Sequence, residues 1–158
     1  MKVRAMPTLL TDLPNKSVIS TLYFHLLATW NERDVRAYAA LFAEDAAVVG
    51  FDGSQMNGRA EIEATVGQIF ADHMTAVYVG KVREVKLVAP GVALLRAVCG
   101  MVPRGQTDIN PAVNAVQSLL ATQPGDHWQI TLFQNTPAQF HGRPDLAEAL
   151  TSELRALL

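Results

Sequence analysis

Cysteine is nearly absent: Cys99 is the only one among 158 residues, so no disulfide can form within the chain and nothing points to a secreted, stapled scaffold. Charge of one sign is missing too. The chain carries 13 basic and 15 acidic residues, for a formal net charge of -2, and no Lys/Arg block. That excludes a surface built to track nucleic-acid phosphates. No apolar run is long enough to span a bilayer. Lys2 and Arg4 precede only a short apolar patch, broken by Asp12 and Pro14, which is too short for a signal peptide. A cytoplasmic protein is the expectation. Charged residues make up only 18% and apolar residues 49%, the balance of a chain that folds around a core rather than staying disordered.

The periodicity gives the order of elements. Residues 1–16 contain Pro7 and Pro14 and no clear period, and read as a flexible arm ahead of one domain over 17–158. From Ser17, Ile19, Leu22, Tyr23, Leu26, Leu27 and Trp30 recur at helical spacing. Asn31, with Asp34 three positions later, caps a second helix, with Val35, Tyr38, Leu41 and Phe42 as its apolar set and Asp45 as its end. Ala46–Phe51 is a short strand, 53–58 a turn, and 59–73 a third helix. Then the period changes to that of strands, over about 77–88, 92–102, 112–122 and 127–136, with Pro90-Gly91 and Pro124-Gly125-Asp126 as tight turns. Pro144 opens a last helix striped by Leu146, Leu150, Leu154 and Leu157. Helices first, then strands on short turns, predict an α+β fold: an antiparallel sheet with helices on one face and a pocket between them.

Several segments resemble a known superfamily. Trp30-Asn31-x-x-Asp34, Leu41-Phe42-Ala43-Glu44-Asp45-Ala46 and Gly58-Arg59-Ala60-Glu61-Ile62 look like the opening of SnoaL-like and NTF2-like domains. Gly100-Met101-Val102-Pro103, Asn110-Pro111-Ala112-x-Asn114, Trp128-Gln129-Ile130 and the block from Phe133 to Pro144 resemble its SgcJ/EcaC branch. The resemblance implies an NTF2-like cone, with N-terminal helices packed on a strongly curved antiparallel sheet plus a C-terminal helix. It also implies a homodimer through the sheet, and a small hydrophobic molecule as ligand. Members are often labelled oxidoreductases. This chain has no G-x-G-x-x-G on a strand-to-helix turn and no βαβ alternation, so no cofactor is expected.

Candidate chemistry is sparse. Cyclases and isomerases of this fold take a proton next to a carbonyl, which needs a pocket carboxylate and donors for the enolate oxygen. Strands 92–102 and 127–136 contain no Asp or Glu. Asp45 and Asp52 lie near the first strand, Asp45 either as a base or as a loop residue bonded to backbone, Asp52 as a turn former. Arg96, on a face with Val92, Leu94 and Val98, either meets a ligand carbonyl or pairs across strands or across a dimer interface. Asp45 and Arg96 are thus the catalytic candidates. Trp30, Asn114, Gln134, Asn135 and His141 are the ligand-binding ones, with a structural role at the Pro137 corner as the alternative for Gln134 and Asn135. No His or Cys spacing fits a metal site. Three readings stay open: a cyclase- or isomerase-like enzyme on a small apolar metabolite, a non-catalytic binding or helper protein of a biosynthetic pathway, and a dimeric module with no obligatory ligand.

Overall fold

The computed structural model describes the backbone from residue 5 and side-chain environments from residue 15 to the C-terminus. Helix α1 (Ala5–Asn31) starts well before Ser17, so residues 5–16, read as an arm, are helical, while 1–4 lie outside the described residues. Pro7 falls in the first helical turn, where its missing N–H has no partner to lose. Ile19, Tyr23, Leu26 and Leu27 form the buried stripe of α1. The chain then turns through Arg33, whose φ of 59° is left-handed. Asp34 caps α2 (Val35–Ala40) by accepting from the Ala37 N–H at 3.0 Å.

Helix α2 stops earlier than its apolar spacing suggests. Phe42, expected on the helix, begins strand β1 (Phe42–Val49). Backbone pairing overrides local periodicity here: β1 lies parallel to the last strand, and the Ile130 N–H bonds to the Leu41 carbonyl at 2.9 Å. The pairing is irregular, since Phe42 faces Ile130 while Ala47 faces Leu132. The surplus residues on β1 include Glu44 and Asp45, both exposed. Asp45 therefore belongs to a bulged strand rather than a helix end. The stretch read as a turn over 53–58 contains a short strand, β2 (Gln55–Asn57), antiparallel to β1. Helix α3 (Arg59–Asp72) follows, tied to β1 by Arg59 Nε donating to the Phe42 carbonyl at 2.9 Å.

Strands β3 (Val77–Ala89), β4 (Val92–Val102), β5 (Ala115–Thr122) and β6 (Gln129–Pro137) complete a six-stranded sheet of order β2-β1-β6-β5-β4-β3, parallel only between β1 and β6. A 3-10 turn, Pro111–Val113, takes the first residues expected in β5. Helices α1 to α3 cover the concave face. Their core joins Ile19, Tyr23, Phe42 and Ile62 to Leu95, Leu119 and Phe133. Helix α4 (Pro144–Arg155) packs on the opposite side, where Leu150 and Leu154 meet Val98 and Ile109. The result is the expected α+β cone, N-terminal helices on a strongly curved, mostly antiparallel sheet plus a C-terminal helix.

Alternation assigns the faces. Ala93, Leu95, Ala97 and Cys99 point inward on β4, so Arg96 points outward. Asn114, just before β5, and Val116, Ser118 and Leu120 on it share the outer side, whereas Gln117 lies inside. A register shift opposite Leu120/Ala121 breaks the alternation on β6. Ile130 and Phe133 both point inward, Asn135 follows them, and Gln134 is exposed outside. A homodimer through the sheet calls for an apolar outer face. That face mixes Val116, Leu94, Leu120 and Leu132 with Arg96, Gln134 and Thr136.

Candidate functional site: a cavity on the concave face

Between the helices and the concave sheet lies a cavity of about 400 Å³. Its walls are largely apolar, with Val48, Met56, Ile69, Met101 and Val113 among them. Trp30 closes the α1 side, its indole N–H donating to the Ala76 carbonyl at 3.3 Å. The Trp30 ring meets Phe70, Tyr78 and Tyr38 at centroid distances of 5.0, 5.7 and 5.9 Å, all in tilted or edge-on geometry.

Amides and guanidinium groups hold this wall in place. The Asn31 side chain extends the β-ladder: it accepts from the Tyr78 N–H at 2.8 Å and donates to the Tyr78 carbonyl at 3.1 Å. Arg104 donates to the carbonyls of Asn31 and Thr75 at 2.6 and 2.7 Å. Arg33 spans the end of α3, donating to the carbonyls of Phe70 and His73 and to Thr75 Oγ1, with its guanidinium 5.2 Å from the Phe70 ring centre.

Polar groups reach the cavity at few points. Tyr38 and Tyr78 line it, and neither hydroxyl has a hydrogen-bond partner among the described residues. Burial raises both phenols above their ordinary pKa, so both are proton donors at neutral pH. Asp52 is the only carboxylate of the lining and is exposed in the β1–β2 turn. Its Oδ1 accepts from the Ser54 N–H at 2.9 Å, and that bond holds the carboxyl below its usual range. It is a weaker base for it.

Ser54 and Gln55, both exposed, and Thr65 on α3 add polar groups to the lining, and Asn135 is the end of a buried chain. The Tyr23 hydroxyl donates to Gln117 Oε1 at 2.6 Å, and Gln117 Nε2 donates to Asn135 Oδ1 at 2.7 Å. Tyr23 and Gln117 are both 0% exposed. The direction of the chain follows from Tyr23, whose hydroxyl has no other acceptor among the described residues. Running the chain backwards would bury that O–H unmatched, at about 1–3 kcal/mol. The Asn135 amide nitrogen has no protein partner among the described residues, and it is not sealed from solvent.

The structure brings Trp30 and Asn135 together at the cavity. The other candidates stand elsewhere. Arg96 pairs with Glu84 on the outer face, Nη2 to Oε1 at 3.0 Å, with both side chains about half exposed. Asp45 is exposed on the β1 bulge and Gln134 on the outer face. Asn114 is buried under α4, donating to Thr151 Oγ1 at 3.0 Å. His141 is exposed in a separate open cleft beside Phe140. His73 is exposed at the end of α3. Among the described residues no cluster of His, Cys, Asp and Glu converges as a metal ion requires.

Tyr38, Tyr78 and Gln117 went unnoticed as site groups. Gln117 had a legible signal: it alternates with Ala115, Leu119 and Ala121, and a polar side chain on an apolar strand face must find a partner.

No family model matches the chain, and no curated relative does. Solved structures do. A domain of unknown function with a cystatin-like fold from Nostoc punctiforme is 26% identical, with a TM-score of 0.74 over 84% of this chain and 83% of that one. An NTF2-like protein of unknown function from Shewanella oneidensis is 21% identical, with a TM-score of 0.62 over 75% and 95%. A ketosteroid isomerase-like protein from Erwinia carotovora is 16% identical, with a TM-score of 0.62 over 78% and 96%. These likenesses show that the chain has an NTF2-like, cystatin-like fold. No helix among the described residues is long and apolar enough to cross a membrane.

Proposed function

We propose that the cavity binds a small, mostly apolar molecule, held by Trp30 and the neighbouring aromatic wall and contacted by Asn135. The observation that carries this reading is the cavity's make-up: about 400 Å³ bounded by apolar and aromatic side chains, with polar groups at a few separate points. Binding without turnover fits the lining best, because its one carboxylate is exposed, already hydrogen-bonded and depressed in pKa.

A second reading, a cyclase- or isomerase-like enzyme, has one observation behind it. Two protonated, unpartnered phenols line the same cavity as Asp52. In that case Asp52 takes the proton and a phenol supports the enolate oxygen. Membership of the SgcJ/EcaC branch rests on the block from Phe133 to Pro144. A homodimer through the outer sheet face would cover Val116, which is 38% exposed, and the adjoining leucines. A cytoplasmic location completes the proposal.

Titration calorimetry with tetralin, a small apolar probe, tests the site. Wild type is expected to bind it, and Met101→Trp, which fills the cavity from β4, to lose it. Equal binding by a correctly folded Met101→Trp protein would place the probe elsewhere and sink the assignment. Mass spectrometry of what copurifies, followed by incubation with the protein, separates carrier from enzyme.

A further inference from the structure

The geometry points to a ligand that presents a carbonyl or carboxylate oxygen to Asn135, with Gln117 and Tyr23 as positioning residues that make Asn135 a donor. This rests on the reading of the cavity as a binding site and adds the chemistry of its occupant.

An asparagine amide is ambivalent: one end accepts and the other donates. At Asn135 the choice is made from behind. The Oδ1 atom is engaged by Gln117 Nε2, which leaves the amide N–H groups for the cavity. Gln117 cannot turn over, because its own Oε1 is engaged by the Tyr23 hydroxyl. Tyr23 in turn is anchored on α1, across the core from the sheet, with its ring wholly buried. Three side chains from α1, β5 and β6 thus fix the sense of one amide. Tyr38 and Tyr78 contribute two further O–H groups to the same space. Thr65 adds a third hydroxyl, and hydroxyls adapt as donor or acceptor, so the Asn135 amide is the lining group whose sense is fixed as a donor. The one anionic group, Asp52, is at the exposed turn. An oxygen acceptor on an otherwise apolar skeleton answers that arrangement, whereas a pure hydrocarbon leaves the donors unmatched on desolvation.

The test uses two probes that differ by one carbonyl: tetralin and 1-tetralone, titrated into the full-length protein by calorimetry. Wild type is expected to favour 1-tetralone by roughly tenfold, the equivalent of one satisfied hydrogen bond. Asn135→Asp keeps the shape and the contact from Gln117 but turns an acceptor to the cavity. The preference is expected to vanish or invert while tetralin affinity holds. Tyr23→Phe and Gln117→Leu, which release the amide without touching the cavity wall, are expected to bring the ratio most of the way to one. A purely structural role for these two residues would not move that ratio. In nitrogen-15-labelled protein the Asn135 side-chain amide signal is expected to shift with 1-tetralone and not with tetralin. Equal affinity of wild type for the two probes, or an unchanged ratio in Asn135→Asp, would overturn the inference and leave the binding site standing. Failure of wild type to bind either probe would remove the binding reading itself, and this one with it.

Discussion

The Cβ that alanine would place at position 80 lies 2.5 Å from the Tyr23 hydroxyl oxygen, and 2.7 Å from Leu27 Cδ1. Glycine on β3 leaves the room in which the Tyr23 hydroxyl reaches Gln117. Gly80→Ala is expected to push the phenol aside, break the Tyr23–Gln117 bond and destabilise the fold by about 2–4 kcal/mol. Urea unfolding measures it. In Tyr23→Phe, where the bond is already gone, the same substitution should cost clearly less, because the two changes share a contact. Strict additivity would show that Gly80 acts independently of the hydroxyl.

Arg33 combines an unfavourable backbone with favourable contacts. Its φ is 59°, yet its guanidinium bridges Phe70, His73 and Thr75. Arg33→Ala keeps the strain and loses the bridge, and is expected to cost about 2–3 kcal/mol. Arg33→Gly loses the bridge and relieves the strain, so it should be about 1 kcal/mol more stable than the alanine variant. Thermal unfolding of the two proteins checks the order. A less stable glycine variant would contradict this account.

Acid stability depends on α4. Arg83 chelates both Glu153 oxygens, and Lys81 adds a contact at 3.1 Å. The Arg83 and Lys81 hydrogen bonds lower the Glu153 carboxyl from its usual 4.5 to about 2. A depressed folded-state pKa gives stabilisation that is complete above pH 4.5 and lost as pH falls towards 2. Asp108 is depressed in the same direction by Arg155. Lys81 and Arg83 are nearly half exposed, so the Glu153 contribution is expected to be no more than about 1 kcal/mol and to shrink in salt. Urea midpoints between pH 2 and 6 should fall less steeply in Glu153→Gln than in wild type. Parallel curves would refute the linkage.

Arg96 belongs to the outer surface, paired with Glu84. Arg96→Ala is expected to change stability by less than about 1 kcal/mol and to leave probe binding in the cavity unaltered. Calorimetry with tetralin and a denaturation curve settle both points. Lost binding with intact folding would mean that the strand's facing has been misassigned.

Composition and period determined much of this protein. Helices before strands, the β3–β4 turn at Pro90-Gly91, the start of α4 at Pro144 and a sheet with one covered face all follow from local rules, because apolar spacing and turn residues act over a few positions. Only the tertiary structure decided the rest. Phe42 left its helix because Leu41 and β1 pair with a strand some ninety residues away. Bulges on β1 and β6 set which way Asp45, Gln134 and Asn135 point, and a one-residue slip in a two-residue period exchanges inside for outside. The sense of the Asn135 amide depends on Tyr23, over a hundred positions earlier in the chain. No window along the sequence holds that relation, since it exists only once α1 lies across the sheet.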